Sequence, residues 1–438
     1  MSKNPLAAML NGRRVAFAAG TGLILLITVV ALLPQKAAAI PAFARKYQTS
    51  CATCHVAIPA LTPFGEAFRQ NGYRFPEGQD AEMTKSAPIE LGAEGYKKLW
   101  PHALWPGEIP GMPPVAILYT STMDYQHQGD VFTFGGMGGE LEILAAGTLD
   151  EHFSFWGSVV FARDGEEIAT EMERVNVQVR PFSTNVLQFK VGSFEPGIML
   201  VSTHRSLMDQ ELWALTEPSG DNPWAPEAFQ QGIEAYGTAG HRLLYNAGVV
   251  EGSGSVGDRS KDSYARLAYK FGGLAFDGAA SASATGAANP KPWSEKSVAV
   301  SAFAYHGVSF LPNDVDISPK DVFDVFGGDV AIAFLDLTAH AGYSDRRDDR
   351  LFLDDPTITD AHTKNTFGEV YWVAYPWLVP SVRLESMKVI DQTAKQASFT
   401  INGLVRANVK TYLAANWVEE PGGKFINDGA TLGLLVGF

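Results

Sequence analysis

Cys51 and Cys54 stand three positions apart and are followed directly by His55. The pattern Cys-x-x-Cys-His is typical of c-type haem attachment, in which both thiols add to the haem vinyl groups and the imidazole binds the iron. The chain has 2 cysteines in all, so no further thiols remain for a disulfide or a zinc site. A thioredoxin-like redox pair would need a βαβ context, which the residues around position 51 do not suggest. The motif therefore predicts one covalent haem c, held by Cys51 and Cys54, with His55 as the proximal iron ligand.

The sequence leaves open which residue would take the sixth position of the iron. Met83 would give His/Met ligation, which raises the reduction potential and suits electron transfer. It stands in a polar segment, where an exposed methionine is the simpler interpretation. His102 in a proline-rich stretch could fold back onto the haem, and Met112 is a weaker candidate. A vacant position would favour peroxidase-like or ligand-binding chemistry instead.

The N-terminus has the pattern of an export signal. Arg13 and Arg14 precede an apolar run over 15–33, and small residues occupy 37–39. We predict a signal peptide over 1–39 that is removed, with a retained membrane anchor as the alternative. Export agrees with haem attachment, because bacteria attach c-type haem outside the cytoplasm.

The chain is strongly acidic. Its formal charge of −14 becomes −18 without residues 1–39, since that segment holds four basic residues and no acidic one. This balance argues against nucleic acid as a partner. It is compatible with cations or basic electron carriers.

Three zones follow the export segment. Residues 40–105 carry the motif and are predicted to form a small α-helical haem domain, with a helix that has Thr62 as its N-cap and Pro63 as its first residue. Residues 106–112 belong to a proline-rich stretch and are predicted to form an extended linker. From 113 to 438 the pattern changes to repeated segments of alternating polarity.

The alternation is typical of strands. Residues 175–180 read Val-Asn-Val-Gln-Val-Arg, and 265–271 read Ala-Arg-Leu-Ala-Tyr-Lys-Phe. A period of two gives each strand one apolar and one polar face. In a transmembrane β-barrel the apolar face lies against lipid and the polar face lines the lumen. A soluble β-sandwich would give a similar pattern.

The last residues favour the barrel. Ala430, Leu432, Leu434, Val436 and Phe438 share one face, and a final strand ending in Phe is typical of outer-membrane barrels. No apolar run of transmembrane-helix length follows residue 39, so a membrane-spanning chain would have to be a closed barrel. We predict a mainly β fold with about 16 to 18 antiparallel strands. The count is open over 315–345, where Gly327 and Gly328 could form a hairpin turn.

The longest connections of such a barrel are expected on the extracellular side. We predict these to be 199–229 and the acidic segment 345–364, which could collect Fe(II) through its carboxylates. A solvated charged loop is the simpler interpretation of 345–364, because arginines are interspersed there. Short turns at 181–185 and 238–240 would then be periplasmic.

The residues around the motif support a family resemblance. Residues 41–47, 51–55 and 59–65, together with Phe68, resemble the N-terminal domain of the fused outer-membrane cytochrome–porins, whose best-known members are iron-oxidising cytochromes. The close match covers about residues 40–75, and the remainder matches in architecture. The resemblance implies a small haem domain that plugs or caps the barrel and carries electrons across the outer membrane.

Two functional hypotheses follow. The first is electron transfer by the single haem from an extracellular donor, with Fe(II) as a candidate, to a periplasmic carrier such as a soluble cytochrome c; as an enzyme it would be an Fe(II):cytochrome c oxidoreductase. The second is a solute porin in which the haem domain acts as plug or sensor. Both place the chain in outer-membrane lipid, with the haem domain in the lumen or on its periplasmic side. A third, weaker hypothesis is a soluble periplasmic haem enzyme with a β-sandwich.

Overall fold

The computed structural model describes residues 41–85, 89–90, 98, 108–109, 114–127, 129–134, 139–164, 167–252, 260–279, 290–311, 319–355, 357–420 and 422–438. The predicted export segment, His102, Met112 and most of the predicted linker lie outside these residues. The described residues from 41 to 438 belong to one compact unit. Among the described residues, no helix is long and apolar enough to cross a membrane.

The N-terminal part consists of short elements. Helix α1 spans Ala42–Tyr47, a 3-10 turn spans Cys51–Thr53, and strand β1 (His55–Ala57) pairs with β2 (Ala60–Leu61). Helix α2 spans Pro63–Gln70, a second 3-10 turn spans Pro76–Gly78, and α3 spans Asp80–Met83. Strand β3 (Ile89–Glu90) pairs with β4 (Glu108–Ile109). The predicted start of α2 is confirmed, because the Thr62 hydroxyl accepts a hydrogen bond from the Gly65 amide.

The remaining strands close into an antiparallel barrel. They are β5 (Val115–Gln126), β6 (Val131–Thr133), β7 (Glu140–Thr148), β8 (Phe153–Asp164), β9 (Glu167–Val179), β10 (Gln188–Phe194), β11 (Gln230–Ala239), β12 (Leu243–Val250), β13 (Asp262–Gly272), β14 (Glu295–Phe310), β15 (Lys320–Leu335), β16 (Leu337–Asp348), β17 (Ala361–Trp372), β18 (Leu378–Val389), β19 (Gln392–Arg406), β20 (Val409–Glu420) and β21 (Lys424–Gly437). Strands β6 and β7 both pair with β5 and count as one interrupted strand, which gives 16 in all. Strand β21 pairs with β5 and closes the barrel.

The alternating pattern places apolar side chains outside and polar ones inside. In β13, Leu267, Tyr269 and Phe271 are exposed on the outer surface, whereas Arg266 is buried in the lumen. The outer face of this strand therefore suits lipid, as the sequence predicts.

The pair Gly327-Gly328 is not a hairpin turn, so that prediction was wrong. Both glycines lie in the middle of β15 and pair with Ala302 and Phe303 of β14. A Cβ at Gly327 would overlap the Phe303 ring. The glycine thus makes room for a neighbouring aromatic side chain, and the turn follows at Leu335–Leu337.

The predicted acidic loop 345–364 is shorter than expected. Strand β16 continues to Asp348 and β17 begins at Ala361, so the connection covers only 349–360. Asp348 is fully buried beside Arg346, because it faces the lumen. It cannot collect a cation at the surface.

The connection predicted at 199–229 runs from 195 to 229 and contains a 3-10 turn (Thr203–Arg205) and helix α4 (Trp213–Thr216). It lies at the same barrel end as 349–360, since successive strands are antiparallel. The turns near 181–185 and 238–240 lie at the opposite end, as predicted. The connection 273–294 also lies there and is longer than 349–360, so the long connections are not confined to one end.

The 195–229 connection, called the lumen loop below, folds into the barrel. Its apolar residues, including Met199, Leu215 and Trp224, form one buried cluster with lumen-facing aromatic residues of the strands. The rings of Trp224 and Tyr305 lie 4.5 Å apart, and those of Trp224 and Phe323 lie 4.8 Å apart. Part of the barrel interior is therefore a packed apolar core.

Candidate functional site

The backbone around the motif is fixed by hydrogen bonds to the start of α2. The Thr62 amide donates to the Cys54 carbonyl oxygen at 2.9 Å, and the Thr62 hydroxyl donates to the Thr53 carbonyl oxygen at 2.8 Å. A Cβ at Gly65 would overlap the Cys54 carbonyl oxygen, so only glycine permits this approach of helix and motif. The two cysteines and the histidine are thereby held in a defined arrangement.

The ring of His55 is oriented by its Nδ1 atom. This atom lies 3.2 Å from the carbonyl oxygen of Pro59, which accepts its hydrogen. Burial lowers the pKa of His55 and favours the neutral ring, although nearby backbone oxygens oppose this effect. A neutral imidazole with Nδ1–H bound to a carbonyl presents Nε2 as the free ligand atom, the arrangement of metal-binding histidines.

The two thiols are held in their protonated form. Burial, with a smaller contribution from Cys51, raises the pKa of Cys54 to about 12, and burial also raises the pKa of Cys51. Dithiol redox centres have one cysteine of lowered pKa. The environment therefore argues against a thioredoxin-like pair.

Cys51, Cys54 and His55 line one cavity of about 330 Å³. On the same side the wall is aromatic, with Phe43, Tyr47, Phe68, Tyr73 and Phe75. Cofactor pockets usually measure about 300–1,000 Å³ and combine apolar walls with a few polar groups. The donor set of two thiols and one free imidazole nitrogen, placed against aromatic rings, fits a covalent haem.

The barrel supplies further residues of the cavity wall. Trp156, Phe194 and Tyr236 line it together with the lumen-loop residues Met199 and His204. The Trp156 ring stacks on Tyr73 of the N-terminal segment at 5.1 Å. The cavity is therefore shared between residues 41–85 and the inner face of the barrel.

Hydrogen bonds join residues 41–85 to turns at one end of the barrel. The Gln188 side chain donates to the Gln70 carbonyl oxygen at 2.8 Å, and the Asn71 side chain donates to the Asp277 carbonyl oxygen at 2.9 Å. The ammonium of Lys46 donates to the Thr148 hydroxyl at 3.0 Å. These contacts lie at the barrel end opposite the 349–360 connection.

A cluster of polar side chains in the lumen loop borders the cavity. The Nδ1 atom of His204 lies 2.7 Å from Oε1 of Glu227 and 3.6 Å from Oε2 of Glu195. Ser202 donates to both carboxylates, and Thr203 donates to Glu227. One ligand atom of each acid and of His204 lies within 4.8 Å of the others, a donor set that could hold a metal ion.

The charges of this cluster balance one another. Burial disfavours the imidazolium of His204, but the hydrogen bonds and charges of Glu195 and Glu227 outweigh it and raise its pKa to about 9. Burial also opposes the charge of Glu195, yet Arg205 and His204 hold the pKa of Glu195 well below its ordinary value. The Arg205 guanidinium lies 3.1 Å from Glu195. The cluster thus fixes His204 within the loop.

The structure separates the predicted ligand candidates. Cys51, Cys54 and His55 come together at the cavity, whereas Met83 does not line it. Met83 packs instead against the apolar cluster that contains Tyr47 and Phe75. The other candidates lie outside the described residues. Sequence reasoning missed Met199 and His204, and the only available signal was that a His lay in a long loop.

No protein-family model matches the chain, and no curated protein matches it. Among solved structures, OmpF of Salmonella typhi in its complex with daunomycin is 11% identical with a TM-score of 0.51, covering 74% of this chain and 97% of that one. An anion-selective porin from Comamonas acidovorans is 10% identical with a TM-score of 0.51, covering 74% and 98%. The fold is therefore a closed barrel that resembles outer-membrane porins.

Proposed function

We propose that this chain is an outer-membrane electron-transfer protein with a single haem c attached to Cys51 and Cys54 and ligated by His55. The observation that supports this proposal is the cavity, in which the three motif residues face aromatic side chains and the inner barrel wall. The bound haem would supply a one-electron redox centre. The chain's own residues would attach it, orient the proximal imidazole through Pro59 and exclude water.

The apolar cluster in the lumen supports electron transfer over solute flux. Barrels of 16 strands usually leave an aqueous channel. Here the lumen loop packs Trp224 and other apolar residues against lumen-facing rings. A dry cluster opposes the passage of hydrated solutes but not the passage of electrons.

The proposed reaction takes electrons from an extracellular donor, Fe(II) being the candidate, to a periplasmic carrier such as a soluble cytochrome c. In that case the chain is an Fe(II):cytochrome c oxidoreductase. The porin-like fold and the apolar outer face of the barrel support a location in the outer membrane. The haem would then lie on the periplasmic side, where residues 41–85 contact the barrel end opposite the 349–360 connection.

A second candidate function is a solute porin in which residues 41–85 act as a plug or sensor. The fold comparison taken alone favours this candidate, because the similar structure from Comamonas acidovorans is an anion-selective porin. It predicts solute flux through reconstituted protein that increases when residues 41–85 are removed.

The two functions are separated by stopped-flow reduction of the purified protein, read at the haem α-band. Electron transfer predicts rapid reduction by Fe(II) and little flux of small solutes through reconstituted protein. In intact cells, a small donor should reduce the haem and a bulky protein reductant added outside should not. Flux without haem reduction would overturn the main proposal.

A further inference from the structure

The structure offers a sixth ligand that the sequence did not suggest. We propose that His204, from the lumen loop, is the second axial ligand of the iron bound by His55. This inference rests on the proposed haem and extends it. It would make the haem a bis-histidine centre with one ligand from the N-terminal segment and one from the barrel.

The first argument is position. His204 and His55 line the same cavity, although they come from distant parts of the chain. Met199 also lines it, but this residue packs in the apolar lumen cluster. Among the described residues, the cavity therefore presents one further imidazole to the group held by Cys51 and Cys54.

The second argument is the orientation of the ring. The Nδ1 atom of His204 faces Glu227 at 2.7 Å, so this nitrogen keeps its hydrogen when the ring is neutral, and Nε2 is then the ligand atom. In the described chain, Nε2 of His204 has no hydrogen-bond partner. His55 shows the same arrangement, with Nδ1 bound to Pro59. A carboxylate or carbonyl on the second ring nitrogen is the usual support of a metal-binding histidine.

The third argument is that Glu227 is itself fixed. It accepts hydrogen bonds from the Ser202 hydroxyl at 2.8 Å, from the Thr203 hydroxyl and from the His204 amide at 3.2 Å. The His204 ring also packs against Phe229, with ring centroids 4.6 Å apart. A ring held on both sides loses little conformational freedom when it binds iron.

The carboxylate Glu227 is therefore assigned as a positioning residue. It sets the tautomer of His204 and increases the basicity of Nε2. Glu195 lies farther from the ring and is bound to Arg205. A Glu227→Gln variant should keep the fold and weaken the iron–imidazole bond.

The test uses the full-length haem protein in detergent, with absorption and electron paramagnetic resonance spectra of the ferric state. The wild type should be low-spin, without the charge-transfer band that methionine ligation gives. His204→Ala should become high-spin, and added imidazole should restore the low-spin spectrum. His204→Met should stay low-spin, gain the methionine band and show a higher reduction potential.

The matched control is His241→Ala. The Nδ1 atom of His241 also faces a carboxylate, Asp277 at 2.8 Å, but His241 does not line the cavity. Its spectrum should equal that of the wild type. Heat-modifiable mobility on gels verifies that each variant is a folded barrel.

Three results would overturn the inference. An unchanged low-spin spectrum in His204→Ala with covalent haem present would exclude this ligand while leaving the proposed function intact. Stoichiometric Mn(II) binding that is lost in His204→Ala, with the haem spectrum unchanged, would assign Glu195, His204 and Glu227 to a divalent cation. Absence of covalent haem from the wild type would remove the proposed function as well.

Discussion

The hydroxyl of Thr62 donates to the carbonyl oxygen of Thr53 at 2.8 Å, and both side chains are buried. The same hydroxyl accepts from the Gly65 amide at 3.1 Å. One side chain therefore caps α2 and fixes the loop that carries Cys51 and Cys54.

Thr62→Val should destabilise the motif region. It leaves a buried carbonyl oxygen and a helix amide without partners, which costs about 1–3 kcal/mol. Hydrogen exchange of residues 51–65, measured by mass spectrometry, should become faster. The free energy of local opening should fall by about the same amount. Thr62→Ser keeps the hydroxyl and serves as the control; equal exchange in Val and Ser variants would show that the cap does not stabilise the motif.

Removal of the thiols tests the cofactor. The double variant Cys51→Ala/Cys54→Ala should lose covalent haem, because both thioether bonds need a thiol. The measurement is haem staining of denaturing gels. His55→Ala should retain stain but show altered ligation. Undiminished stain in the double variant would refute haem attachment at the motif.

The two acidic residues Asp348 and Asp354 should behave differently. Asp348 is buried and lies 2.6 Å from Arg346. Because Asp321 remains 3.9 Å from Arg346 as a second carboxylate, Asp348→Asn should lower stability by about 1–3 kcal/mol. Asp354 is exposed in the 349–360 connection, and Asp354→Asn should leave stability unchanged. The temperature at which the compact gel band disappears measures the difference.

Neutralising Asp349, Asp354 and Asp355 together should slow Fe(II) reduction only modestly. A large decrease in the rate would show that the 349–360 connection collects the cation.

Deletion of Phe438 should impair barrel assembly. Its amide and carbonyl oxygen pair with Ile117 at 2.8 and 3.1 Å, at the junction of the first and last barrel strands. The deletion removes both hydrogen bonds and the aromatic side chain of the final strand. Membrane fractionation and heat-modifiable mobility should show less folded protein, with covalent haem retained; normal assembly would show that the junction tolerates the loss.

The lumen loop should have a pH-dependent anchor in the haem-free Cys51→Ala/Cys54→Ala protein. Burial lowers the pKa of His204, but the carboxylates Glu195 and Glu227 outweigh it and raise the pKa from 6.5 to about 9. A raised pKa stabilises the folded loop fully below about pH 6.5, and this contribution is lost as the pH rises through about 9. Tryptic cleavage within 195–229 should accelerate over that window. Adding His204→Gln should abolish this pH dependence of the cleavage rate. The same pH dependence in the variant as in its parent would contradict the assignment.

Much of the fold could be predicted because the polarity of the strand residues alternates along the sequence. Residues 175–180 and 265–271 alternate in polarity, and a strand exposes alternate side chains on opposite faces. The start of α2 was equally predictable from local contacts alone. The Thr62 side chain accepts a hydrogen bond from a free amide of the first turn, and Pro63 has no amide hydrogen that needs a partner. Such signals depend on neighbours in the chain.

The features that the sequence did not predict correctly depend on residues far apart in the chain. Gly327 resembles a turn residue, but the Phe303 ring on the adjacent strand requires it. Asp348 resembles a loop carboxylate, but it pairs inside the barrel with Arg346. The position of His204 at the cavity follows from the inward fold of the lumen loop, and no periodicity in the sequence reports that contact.

The contacts of residues 41–85 with later parts of the chain determine an order of maturation. Gln70 and Asn71 bind Gln188 and Asp277, which take their positions only when the barrel forms. In the closed barrel, Trp156 lines the same cavity as Cys51, Cys54 and His55. If haem is attached to Cys51 and Cys54 as proposed, we expect its attachment in the periplasm before the barrel closes. A cell that assembles the chain faster than it attaches haem should accumulate finished barrels that later haem supply does not repair.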